Sequence, residues 1–111
     1  MRWVIAATLV ATAVLTAAPA TGDATAYLVN VTVRPGYHFA DAQQALAYGY
    51  GICGRVEAGV GYPDLVAAIQ RDYSTNDHFH AGYLISQAVN ELCPAQIWAL
   101  RRSAAGTGPW P

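Results

Sequence analysis

The sequence predicts an all-α protein: a small bundle of four to five short helices, stapled by one disulfide, after an N-terminal signal peptide. Three observations carry that expectation. Apolar residues recur at three- and four-residue spacing through most of the chain beyond residue 41. The only two cysteines, Cys53 and Cys93, bracket the clearest of those stripes. The chain also opens on a short positive region, an apolar run and a small-residue cleavage site, which is the pattern of an exported protein.

The opening is set apart from the rest. Arg2 is followed by Val4 to Leu15, an unbroken run of apolar residues and threonine, and then by Ala17-Ala18-Pro19-Ala20. A membrane-spanning helix needs roughly twenty apolar residues, and this run is well short of that. A cleaved signal peptide over 1–20 is therefore preferred to a retained anchor. Ala24-Thr25-Ala26 offers a second cleavage site. No cysteine follows the run to accept a lipid. The expected location is the cell envelope or the extracellular space. The 111 residues suffice for one domain and not two. We assign 21–26 to a loose lead-in, 27–103 to the helical domain and 104–111 to a flexible Gly/Pro tail. Past Ala20 there are five arginines, no lysine and seven acidic residues. With no basic cluster, nucleic acid is not the expected partner.

Export decides the reading of the cysteines. In an oxidising compartment an even count reads as disulfide bonding, and two cysteines allow one intramolecular pairing. A reactive thiol or a metal site lacks the C-x-x-C spacing that would support it. Closing a loop of this span stabilises by about 4 kcal/mol on loop-closure entropy, less any strain.

The first segment, Tyr27 to Arg34, is locally ambiguous. Val29, Val31 and Val33 alternate with Asn30, Thr32 and Arg34, as in a strand. No second run offers such a strand a partner, and its backbone groups would stay unpaired. The residues alone leave helix and strand open. Asn30-Val31-Thr32 matches the glycosylation sequon, here taken as chance. Pro35-Gly36 closes the segment. Asp41 caps a second helix over 42–58, with Ala42, Ala45, Leu46, Gly49, Cys53 and Val56 on one face. Most of that face is small. Gly49 costs about 1 kcal/mol of helix propensity relative to alanine, so close packing of another helix is its expected justification. Gly59 and Gly61 end the helix.

A third helix over 63–73 starts with Pro63 and Asp64 in its first turn. Its stripe is Tyr62, Leu65, Val66, Ile69 and Tyr73. Ser74 or Thr75 is the expected cap of a fourth helix over 76–92, whose core face is Ala81, Leu84, Ile85, Ala88 and Leu92. Pro94 interrupts it, and Ala95 to Ser103 reads as a short terminal helix.

These residues resemble the small exported mycobacterial proteins of the domain of unknown function family 732. The resemblance rests on Ala45, Gly49 and Cys53, then Ala88, Leu92, Cys93 and Pro94, with a fitting spacing between the cysteines. It covers Tyr27 to Pro94 and implies a signal peptide followed by a short helical domain with a Cys-Pro closing its last helix. It implies no activity. The chain departs from the family in its β-branched first segment and in continuing through Trp98, and the resemblance together with the missing strand partner implies helix over Tyr27 to Arg34.

Candidate chemistry is sparse. Gly49-Tyr50-Gly51-Ile52-Cys53-Gly54 satisfies G-x-G-x-x-G, yet no strand precedes it and its glycines lie within a helical pattern. Helix packing is preferred to nucleotide binding. Asp77-His78-Phe79-His80 is the strongest metal candidate. On a helix His78 and His80 point about 200° apart, so only Asp77 and His80 share a side, and His38 would have to come from the preceding loop. A solvated first helical turn is the preferred reading, with no metal and no cofactor expected. Ser74, Ser86 and Ser103 lack an elbow motif or a local base. Glu57, Asp64, Asp72 and Glu91 read as caps and surface charges rather than a carboxylate pair.

Tyr37, Phe39, Tyr48, Tyr50, Tyr62, Tyr73, Tyr83 and Trp98 are many aromatics for so small a domain. They either complete a small core, the preferred reading, or form a contact patch. With no complete catalytic set, the expected function is a non-catalytic module that binds a protein or an envelope component. A metal-dependent factor or enzyme using His78 and His80, and a carrier of apolar ligands between helices, are the alternatives.

Overall fold

The computed structural model describes residues 23–105. The expected signal peptide and the residues beyond Ala105 lie outside them. Among the described residues there are five α-helices and no strand.

Helix α1, Ala24–Val33, resolves the ambiguous segment. Successive residues on a helix turn by about 100°, so the three alternating valines cannot all share a side. Val31 is buried whereas Val29 and Val33 face outward. The inward pair is Tyr27 and Val31, one helical turn apart. Asp23 starts the helix by accepting a hydrogen bond from the Ala26 N–H at 3.0 Å, and its own N–H donates to the Glu91 carbonyl. The Asn30 amide donates to Gln87 Oε1 at 2.7 Å. Tertiary packing has overridden β propensity here. The helix also begins within the stretch assigned to a loose lead-in.

Arg34 is extended, as a residue before proline tends to be, and Gly36 takes φ +110°. Helix α2, Ala42–Glu57, opens as expected on Asp41, whose carboxylate accepts from the Gln44 N–H at 2.8 Å. Gln44 in turn accepts from the Ala40 N–H at 2.6 Å. Its buried side is Ala45, Gly49, Ile52, Cys53 and Val56, while Ala42 is exposed. A Cβ on Gly49 would lie 2.5 Å from Leu92 Cδ1 and 2.7 Å from Tyr27 Cζ. The glycine therefore lets two other elements close onto α2.

Helix α3, Tyr62–Asp72, buries Leu65, Val66 and Ile69. Ser74 then adopts φ +50°. Neither Ser74 nor Thr75 caps the next helix, contrary to expectation. Asp77 does, accepting from the Phe79 N–H at 2.9 Å, and Thr75 Oγ1 accepts from the Asp77 N–H instead. Helix α4, His78–Gln87, runs on into a π-helical turn, Ala88–Leu92. Together they supply the centre of the core: Ala81, Leu84, Ile85, Ala88 and Val89 are all fully enclosed. α4 packs chiefly on α3, and the π turn chiefly on α2.

The Cys53–Cys93 disulfide joins α2 to the residue after the π turn, with Cα atoms 6.0 Å apart. The Ala88 carbonyl oxygen lies 3.7 and 3.8 Å from the two sulfurs. A short 3-10 turn, Pro94–Gln96, leads to α5, Ile97–Ala105. Ser103 anchors α5 to the start of α3, accepting from the Tyr62 N–H at 3.1 Å. The terminal helix thus extends two residues into the stretch assigned to the tail.

Candidate functional site

The long α1–α2 loop supplies two aromatic residues, and α2, α3 and α4 supply the rings that receive them. Tyr37 is buried and lies 4.3 Å, centroid to centroid, from His80, 5.7 Å from Tyr73 and 6.3 Å from Tyr83. Phe39 continues the cluster to Tyr48 at 5.8 Å, and Tyr48 meets Tyr73 at 5.8 Å. Most of the aromatic surplus is therefore core, as preferred.

The phenols act as neutral donors. Tyr37 donates to the His80 carbonyl, and Tyr48 to Asp72 at 2.7 Å. Burial raises the pKa of Tyr37. Burial, helped by the Asp72 carboxylate, raises that of Tyr48 well above the ordinary phenol range. Tyr73 is pushed up to about 12 by burial first, then by Tyr37 and Asp72.

His80 turns inward rather than outward. Its Nε2 donates to the Gly36 carbonyl at 3.3 Å, a carbonyl being able only to accept. Its Nδ1 is buried without a hydrogen-bond partner. A Cβ on residue 36 would come within 2.9 Å of the ring, so loop, glycine and histidine fit as one unit. The metal candidates are thereby separated in role: Asp77 caps α4, His80 holds the loop, and His78 and His38 are exposed. Among the described residues no three His, Cys, Asp or Glu side chains are placed to share an ion.

The other motifs fare similarly. Gly49, Gly51 and Gly54 all lie inside α2. Ser103 bonds the Leu100 carbonyl and the Tyr62 N–H, which is a structural use. Among the described residues no helix is long and apolar enough to cross a membrane.

Two open clefts flank Arg34. One, of about 390 Å³, lies between the end of α1, the loop and the start of α2, and its lining includes Leu28, Val31, Tyr37 and Ala45. The other, of about 430 Å³, is walled by Tyr62, Phe79, Gly82 and Tyr83. Arg34 lines both. Its guanidinium carbon sits 4.3 Å above the centre of the Tyr83 ring. Phe79 is 82% exposed at the first turn of α4, the most exposed large apolar side chain among the described residues.

Neither Phe79 nor Arg34 was singled out by sequence reasoning. Phe79 was legible: two residues from the core residue Ala81, it must point about 200° away. Arg34 was not, because only the folded loop sets it against Tyr83. Trp98 and Tyr50 are also exposed, with Arg101 packed 5.2 Å from the Trp98 ring.

No curated protein and no solved structure matches the chain. A family model described as a protein of unknown function (DUF732) matches residues 22–95, from just before the Asp23 cap to just past the second cysteine. The expected resemblance is thus a membership: the chain belongs to the DUF732 family of proteins of unknown function.

Proposed function

We propose that the protein is an exported, non-catalytic binding module of the cell envelope or extracellular space, and that it holds a partner protein on the Phe79 face. The observation that carries this reading is an exposed phenylalanine beside two half-buried tyrosines and an arginine. Aromatic residues and arginine are the side chains that most often anchor protein interfaces. A solvated phenylalanine that contributes nothing to the core stabilises nothing by being there, whereas enclosing it in an interface gains about 2 kcal/mol.

Export is supported by the chain's opening, and α1 bears on the point of cleavage. Cleavage after Ala20 leaves the Asp23 cap and the whole of α1 intact. Cleavage after Ala26 would remove the cap, the first turn and the Asp23–Glu91 backbone bond.

The test is a comparison of wild type with Phe79→Ser, each immobilised and exposed to envelope extract. Melting temperatures should agree within a few degrees, since Phe79 lies outside the core. A partner retained by wild type should be lost by the variant. A partner retained equally by both would remove this face from the reading.

A further inference from the structure

The cleft under the α1–α2 loop has a chemistry of its own, although it shares Arg34 with the Phe79 face. Leu28, Val31 and Ala45 of two helices line it together with the loop residues Tyr37 and Phe39, and Thr32, Arg34, His38 and Asp41 give it a polar side. Its volume, about 390 Å³, is at the small end of the range for small-molecule sites, about 300–1,000 Å³.

The cation at its edge is Arg34. Among the described residues no carboxylate lies within ion-pair distance of it. Its guanidinium carbon lies over the Tyr83 ring, 4.3 Å from the centre. A guanidinium has five N–H donors in one plane. A cation over a ring is held by the ring's π face, which leaves N–H donors for a ligand. That is the arrangement suited to a carboxylate, which takes two parallel hydrogen bonds from a guanidinium. Asp41 also lines the cleft, but its carboxylate is committed to the Gln44 N–H at the start of α2. Its charge opposes an anion at that end and leaves the Arg34 end as the place for one.

We propose that this cleft binds a small amphipathic carboxylate, its aliphatic chain on Leu28, Val31 and Ala45 and its carboxylate on Arg34. The apolar side chains supply affinity, and the arginine selects an acid over a neutral molecule of the same length.

The experiment is calorimetric titration of the purified protein with sodium decanoate, decanol and sodium acetate, each below its aggregation limit. Decanoate should bind one to one. Decanol, lacking the charge, and acetate, lacking the chain, should each bind at least about tenfold more weakly, the size expected for losing a charged hydrogen bond or several buried methylenes. Arg34→Gln should weaken decanoate by about tenfold or more, with Arg34→Lys intermediate. Asp41→Asn keeps a good helix cap and should bind decanoate as tightly as wild type or more tightly. Phe79→Ser should leave decanoate binding unchanged, which separates this site from the partner face. Equal affinity for decanoate and decanol, or for decanoate and acetate, would overturn the proposal on wild-type protein alone. So would unchanged decanoate binding by a folded Arg34→Gln, or its loss in Phe79→Ser.

Discussion

Two glycines of α2 separate propensity from packing. At Gly51 a Cβ would meet nothing within 4 Å, whereas at Gly49 it would meet Leu92 and the Tyr27 ring inside 3 Å. Leu92 can shift its terminal methyl, but Tyr27 is fully buried and pinned by its hydroxyl to the Ala45 carbonyl at 2.8 Å. Gly51→Ala should therefore raise stability by up to about 1 kcal/mol. Gly49→Ala should lower it by about 1–3 kcal/mol despite the same propensity gain. Urea unfolding of the pair checks this, and a stabilised Gly49→Ala would show that α1 does not press on α2. The phenols make a second residue-scale expectation. Tyr73 has a folded pKa of about 12 against an ordinary value near 10, so its neutral form is favoured by the fold. That contribution is complete below pH 10 and is lost as pH rises from 10 to 12. The Tyr73 share of the phenolate absorbance, taken as wild type minus Tyr73→Phe, should thus rise together with loss of helical circular dichroism in that window. A Tyr73 phenolate at pH 10 with the helices intact would contradict the burial of its ring.

Among the elements, α1 shows how a weak local signal is decided. Its β-branched residues cost helix propensity, and its first turn has no acidic residue beyond the Asp23 cap. It is held by Tyr27, Val31, the Asn30–Gln87 bond and the Asp23–Glu91 backbone contact. A processed protein therefore needs Asp23. N-terminal sequencing of secreted material should begin at Thr21, and a start at Tyr27 would mean that α1 survives without its cap. The fourth helix makes the complementary point. Its existence and core face were legible from Ala81, Leu84, Ile85, Ala88 and Leu92, because a sustained stripe has few other uses. Its cap was not: Ser74, Thr75 and Asp77 are all competent, and the positive φ of Ser74 sets the chain so that Asp77 reaches the free N–H groups.

For the whole molecule the staple matters most. The disulfide ties α2 to the end of the π turn, and α1 packs on both of them. A domain this small has little stability to spare. Losing about 4 kcal/mol of loop-closure stabilisation should lower the melting temperature by roughly 15–30 °C. Scanning calorimetry with and without reductant measures it. Cys53→Ala alone should be at least as damaging, since it leaves a lone thiol among core residues. A reduced protein melting within a few degrees of the oxidised one would show that helix packing alone suffices.

Local pattern was enough for the all-α class, the extents of α2, α3 and α4 to within two or three residues at most boundaries, the pairing of the two cysteines and the core role of Gly49. Each follows from periodicity, from counting or from the cost of a glycine in a helix, and none needs to know which elements are neighbours. Folding was needed to make Tyr27 to Val33 helical, to turn His80 inward onto Gly36 and to set Arg34 over Tyr83 between two clefts. Those outcomes depend on groups far apart in sequence: Tyr27 with Ala45, Gly36 with His80, Arg34 with Tyr83. A contact between distant segments has no local period to betray it, and the chain acquires it only by folding.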